Sequence, residues 1–426
     1  MIDIPGMGAK AAVMSMRSAF LAAAATLALL TTGPANSAPK KVADPAAALQ
    51  QRLLTLDSHL DTPASLALPG WSITDAHTVQ DDYTQVDLPR MKQGGLDGGF
   101  WVIYTAQGPL DAESTRKARD FALMRGMAIR EMVAAHPESF ALASTAADAA
   151  AIKAAGKRVV YLSIENAWPL GDDPTLLRSF HAMGVRIAGF AHFRTNQFAD
   201  SSTDKAKWDG LSPLGVQLLA EMNRLGIVPD LSHSSDRALD DALRLSRTPV
   251  ILTHSGCKAI YDHPRNIDDA HLKALAAAGG VIQINSVYVK GLKQSAEREA
   301  AMKALEAQYP EEKSLNAAER KALLAQRRAI DAKFPEVRAS FDDVMANLLH
   351  AIKVAGVDHV GIGLDWDGGG GVVGLEDIVD LPKITRALLA AGYSEADVAK
   401  VWSGNVLRVL AAAEAEAQAE SGREKI

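Results

Sequence analysis

"IVPDLSHSSDRALDDALRLSRTPVILTHSG", residues 227–256, holds one full beat of the rhythm that sets the fold. An apolar run, "IVPDLSHSS" (227–235), breaks into polar side chains at His233. "SSDRALDDALRLS" then starts with serine, a good helix cap, and continues in helix formers. A second apolar run, "VILTHSG" (250–256), ends at His254. Strand, helix, strand in about thirty residues is the pattern of a parallel β-α-β unit.

The rhythm extends on both sides. Six more runs read as strands: "LLTLDSHLD" (53–61), "GGFWVIYTA" (98–106), "VVYLSIENA" (159–167), "GVRIAGFAHF" (184–193), "GGVIQINSV" (279–287) and "HVGIGLDWDG" (359–368). Continuous apolar runs suit strands covered on both faces. Between them, "LSPLGVQLLAEMNRLG" carries Leu and Met at helical spacing and stops at Gly226, a C-cap residue. Eight such units predict an α/β fold, a (β/α)₈ TIM-type barrel. An open doubly wound sheet is the alternative, but the glycine-rich phosphate turn it normally carries is missing. Residues 290–340, rich in Lys, Glu, Ala and Arg, read as a helical insertion between strands seven and eight. Its charges are most simply a solvated face; a lid or a homodimer contact is the sharper alternative. The barrel is expected over 45–415, with a polar tail over 416–426.

Bulk properties narrow the classes. Of 426 residues, 48% are apolar and 23% charged, as in a globular domain. A formal charge of −6 argues against general nucleic-acid binding. Cys257 is the single cysteine, so neither an intramolecular disulfide nor a thiolate metal cluster can form. Arg17 precedes "AFLAAAATLALL", and "GPANSAPKK" offers small residues for cleavage near Ala35–Ala38. Residues 1–38 therefore read as a signal peptide, and the mature chain as an exported, periplasmic protein without a membrane span. An uncleaved anchor is the competing reading.

Unusual side chains collect where the proposed strands end: His59 and Asp61, Glu165, His192, His233, His254, then Asp365 and Asp367. In a parallel barrel those ends share the face where active sites sit. Imidazole nitrogens and carboxylate oxygens suit zinc. One carboxylate can bridge two ions about 3.5–4 Å apart, and a water they share ionises near neutral pH. A further carboxylate can move the proton.

These stretches resemble the membrane (renal) dipeptidases, zinc metallopeptidases of the amidohydrolase-like barrel class. The resemblance runs from about Leu54 to Val409. It rests on "DSHLD", "QVDLPRMKQGGLDGGFW", "IENAWPL", "GLSPLGVQLLAEMNRLGIVPDLSHSS", "VILTHSGCKAI", "HPRNIDD" and "HVGIGLDWDG". It implies two Zn²⁺ per chain, one on His59 and Asp61, the other on His233 and His254, with Glu165 bridging. It implies that His192 contacts the scissile carbonyl, that Asp365 is the acid/base, and that Arg265 holds the carboxylate of a dipeptide substrate. Tyr288 lies near the position of a substrate-contacting tyrosine. Asp367 competes with Asp365 for the acid/base role, Asp57 reads as a supporting or turn residue, and Cys257 as a small buried filler. Leu60, Leu364 and Trp366 depart from the family's usual residues. Other amides, such as a lactam or an N-acyl amino acid, are the alternative substrates; an exported binding protein is the non-catalytic alternative.

Overall fold

A computed structural model describes residues 44–309 and 315–423; the signal-peptide reading lies outside them. Among the described residues the strands are β1 (Leu56–Leu60), β2 (Gly98–Ile103), β3 (Phe140–Leu142), β4 (Arg158–Ile164), β5 (Val185–Gly189), β6 (Val228–Asp230), β7 (Ile251–Cys257), β8 (Asn266–Ile267), β9 (Val281–Ile284) and β10 (Val360–Ile362). Eight of them pair in the order β1-β2-β4-β5-β6-β7-β9-β10. Every pairing along that path is parallel. These eight fall on the eight apolar runs, and the sheet curls into the expected barrel. The short β3 and β8 gave no comparable signal; β3 lies along the first half of β4, and β8 along the end of β7.

The ring closes between β10 and β1 without a regular ladder. A single bridge joins Leu60 to Trp366. The Asp61 amide donates to the Trp366 carbonyl at 2.9 Å. Side chains complete the junction: Ser58 Oγ shares its one proton between the Ile362 carbonyl of β10 (3.2 Å) and the Thr253 carbonyl of β7 across the barrel (2.6 Å). The Leu364 amide donates to Asp57 Oδ2 at 3.0 Å. Asp57 is therefore a structural tie, and burial raises its pKa to about 7. Leu60, Leu364 and Trp366 are buried core residues.

The opposite end is plugged with apolar groups. Leu56, Phe100, Tyr161, Ile187, Val228, Ile251 and Val281 cluster there with Val406, Val409, Leu410 and Ala413 of the last helix, Asn405–Arg423. That helix continues through the polar residues from 416, and Arg247 pairs with its Glu416 (2.9 Å) and Glu420. Ser212 and Gly226 cap Pro213–Leu225, the glycine at φ 72°. Ser235 caps Asp236–Leu245 through the Ala238 amide. The Gly226 and Ser235 caps were legible in the sequence.

Between β9 and β10 the insertion folds into helices Ala296–Gln308 and Ala317–Lys333. Arg298 pairs with Asp331 at 2.8 Å across them. The other Asp331 oxygen accepts the Tyr83 hydroxyl at 2.6 Å, and the Arg327 guanidinium lies 4.0 Å from the Tyr83 ring. The pair is thus docked on the segment after β1. Among the described residues no helix is long and apolar enough to cross a membrane.

Candidate metal centre and active site

Each ligand-type side chain leaves the barrel at the C-terminal end of a strand. His59 lies in β1 and Asp61 just past it; Glu165 follows β4, His192 follows β5, His233 follows β6, His254 lies in β7, and Asp365 follows β10. His233, Asp365 and Asp367 adopt left-handed backbone, at φ 66°, 64° and 65°. Such conformations cost on the order of 1 kcal/mol or more each and gather at functional sites.

Glu165 is the hub. Its Oε1 lies 3.2 Å from His233 Nε2, 3.4 Å from His192, 3.5 Å from His254 and 3.7 Å from His59. His59 Nε2 is also 3.3 Å from Asp61 and 3.9 Å from Asp365. Three overlapping groups result, each with ligand atoms within 4.8 Å of one another: His59, Glu165 and His254; Glu165, His192 and His233; His59, Asp61 and Asp365. Seven residues selected from the sequence therefore converge.

The donor chemistry fits metal. Thr253 Oγ1 lies 2.5 Å from Asp230 Oδ2 and 2.9 Å from His254 Nδ1. Its one proton goes to the carboxylate, so Nδ1 must carry the proton of the other bond. That leaves a lone pair on Nε2, facing the cluster. The Nε2 atoms of His233 and His254 are 2.8 Å apart, and His59 Nε2 is buried without a hydrogen bond among the described residues. Burial holds His233 and His254 well below the usual histidine pKa. For His59, burial opposes the charged form, but Glu165, Asp61 and Asp365 outweigh it and raise the pKa to about 10. Glu165 is pushed up chiefly by burial. A pocket that holds a proton so firmly has surplus negative charge for a cation to neutralise. A Cβ on Gly368 would fall 2.2 Å from Asp61 Oδ2 and 2.3 Å from Asp365 Oδ1, so the missing side chain admits these carboxylates.

The structure separates the two late aspartates. Asp367 accepts Thr62 Oγ1 and the Gln85 amide, both at 2.6 Å. Asp365 stays with the cluster, its pKa raised by burial against the pull of His59. His192 is neutral, its pKa lowered to about 3 by burial and then by Arg265. Tyr288 lines a cavity of about 320 Å³ together with Asp61, Glu165, His192 and Asp365. Arg265 stands behind Tyr288, 2% exposed, with its guanidinium carbon 5.4 Å from that ring. It donates to the His254 carbonyl at 2.9 Å, while its Nε has no partner among the described residues. Cys257 is a buried filler whose thiol burial pushes up to about 12.

The sequence profile of the membrane dipeptidases, peptidase family M19, matches residues 43–424. The chain belongs to that family. It is thereby a metallodipeptidase, a peptide hydrolase built on this barrel. It is 31% identical over 344 residues to dipeptidase tcpJ of Claviceps purpurea, covering 79% of this chain and 71% of that one. Among solved structures, the probable dipeptidase PvdM of Pseudomonas aeruginosa is 28% identical with a TM-score of 0.74, covering 87% of this chain and 98% of that one. A Rhodobacter sphaeroides metallopeptidase, solved with a phosphinate mimic of the dipeptide L-Ala-D-Ala, is 25% identical with a TM-score of 0.64, over 84% and 99%.

Three parts of this dipeptidase's site were missed in the sequence. Asp230 and Thr253 sit inside strands, where they read as ordinary polar interruptions. Gly368 is one of four successive glycines, with nothing to distinguish it. Arg125 lines the cavity from a helix and carried no signal.

Proposed function

We propose that this metallodipeptidase cleaves dipeptides bearing a free C-terminal carboxylate at a dizinc centre. His59 and Asp61 would hold one ion and His233 and His254 the other, with Glu165 within reach of both. The observation that carries this reading is the single Glu165 oxygen within 3.2–3.7 Å of four imidazole nitrogens. Zinc bound there supplies Lewis acidity and brings a water near neutral ionisation.

The chain's own groups do the rest. Asp365 takes the proton of the attacking water and returns it to the leaving amine. Neutral His192 donates a hydrogen bond to the oxygen that gains charge in the transition state. Arg265 receives the substrate carboxylate once Tyr288 turns aside; a buried guanidinium without an ion pair among the described residues is built for an anion. The phosphinate-bound relative supports a dipeptide as the substrate class. The N-terminal stretch supports action after export to the periplasm.

A dipeptide library on zinc-loaded protein, with elemental analysis of the same sample, tests the reading. Hydrolysis with two zinc per chain is expected. Metal-free protein after loading, or no cleavage of any dipeptide, overturns it. Arg265→Lys is expected to lose kcat/KM, because an ammonium cannot reproduce the planar fork.

A further inference from the structure

Arg125 is a second guanidinium at the active site. It sits on helix Ala112–Ala135, which follows β2, and is 9% exposed. It lines the same cavity as Asp61, Tyr104, Glu165 and Asp365. Its guanidinium carbon lies 5.2 Å from the Phe121 ring. Among the described residues it forms neither a hydrogen bond nor an ion pair. Burial lowers its pKa, and the Asp61 charge opposes that shift.

A buried, unpaired cation facing an open cavity is costly unless something anionic meets it there. Topology says from which side. Arg265 follows β7 and Arg125 follows β2, four places apart in a ring of eight strands. The two guanidinium groups therefore flank the metal ligands from opposite sides. A dipeptide whose C-terminal carboxylate lies toward Arg265 and whose peptide bond lies over Glu165 extends its N-terminal residue toward Arg125.

We infer that Arg125 selects dipeptides whose N-terminal residue carries a second carboxylate, an aspartyl or glutamyl side chain. This deepens the dipeptidase reading and rests on it. Arg125 repels the substrate's ammonium, so the group it draws from the N-terminal residue is the side-chain carboxylate.

Glu-Ala and Gln-Ala differ in the one charge at issue. On zinc-loaded full-length protein, kcat/KM for Glu-Ala is expected to exceed that for Gln-Ala about ten- to hundredfold, the range of a buried charge-assisted contact. Arg125→Met is expected to collapse the ratio toward one, while Arg125→Lys keeps part of it. Gln-Ala turnover by each variant reports that it has folded. Equal rates of the wild type on the two substrates overturn the inference and leave the dipeptidase reading standing. So does an equal loss on both substrates in Arg125→Met, which makes Arg125 a general anchor instead. Failure to cleave any dipeptide sinks the reading beneath it, and the inference with it.

Discussion

Individual side chains carry the sharpest predictions. Asp365→Asn keeps the ligands but not the proton acceptor, so kcat should fall about 10²–10⁴-fold with the metal content retained; stopped assays beside elemental analysis check this. Thr253→Val removes the hydroxyl that sets the His254 tautomer and takes the Thr253 hydrogen bond from Asp230 Oδ2, while Oδ1 keeps the Ser232 and Thr253 amides. Zinc affinity should drop about 10–100-fold, read by competition with a chromogenic chelator. Gly368→Ala drives a methyl into Asp61 and Asp365; metal occupancy should fall while the metal-free protein melts near the wild-type temperature. The side chains that converge were legible because histidine and aspartate are conspicuous after an apolar run. The division between Asp365 and Asp367 was not, because it depends on Thr62 and Gln85, which arrive from some three hundred positions away.

Helices set which charges matter. Glu221, on Pro213–Leu225, accepts from Arg224 at 2.7 and 2.8 Å and from Arg178 at 2.7 Å. The Arg224 bonds first, then Arg178, overcome burial and lower its pKa to about 2. A depressed carboxylate stabilises the fold above its ordinary pKa and loses that contribution as pH falls toward 2. Glu221→Gln should therefore be less stable than wild type at pH 6, with the gap narrowing by pH 3, measured by urea unfolding. Ser235→Ala, which loses the cap of Asp236–Leu245, should cost about 1 kcal/mol in the same assay. Strand and helix positions were readable from periodicity and caps. Arg125 was not: "RKARDFALMRGMAIR" offers Arg116, Arg119, Arg125 and Arg130 alike, and only packing decides which of them is buried against the cavity.

At the scale of the whole chain, the eight-strand rhythm predicted the barrel, since buried parallel strands need apolar runs. How the ring closes was hidden, because it uses Ser58, Asp57 and one bridge in place of a ladder. Loading with zinc should raise the melting temperature, since free ion at a thousand times Kd adds about 4 kcal/mol to folding. His59 and Asp61 belong to the first stave, and Asp365 faces His59 at 3.9 Å from the loop after the last, so an ion on the first two, with the Asp365 carboxylate drawn toward its charge, would steady a seam that the backbone barely sews. Chelation should then quicken hydrogen exchange first along residues 57–61 and 360–366, leaving β4 and β5 guarded; the two ends of the chain would owe their meeting to a removable part.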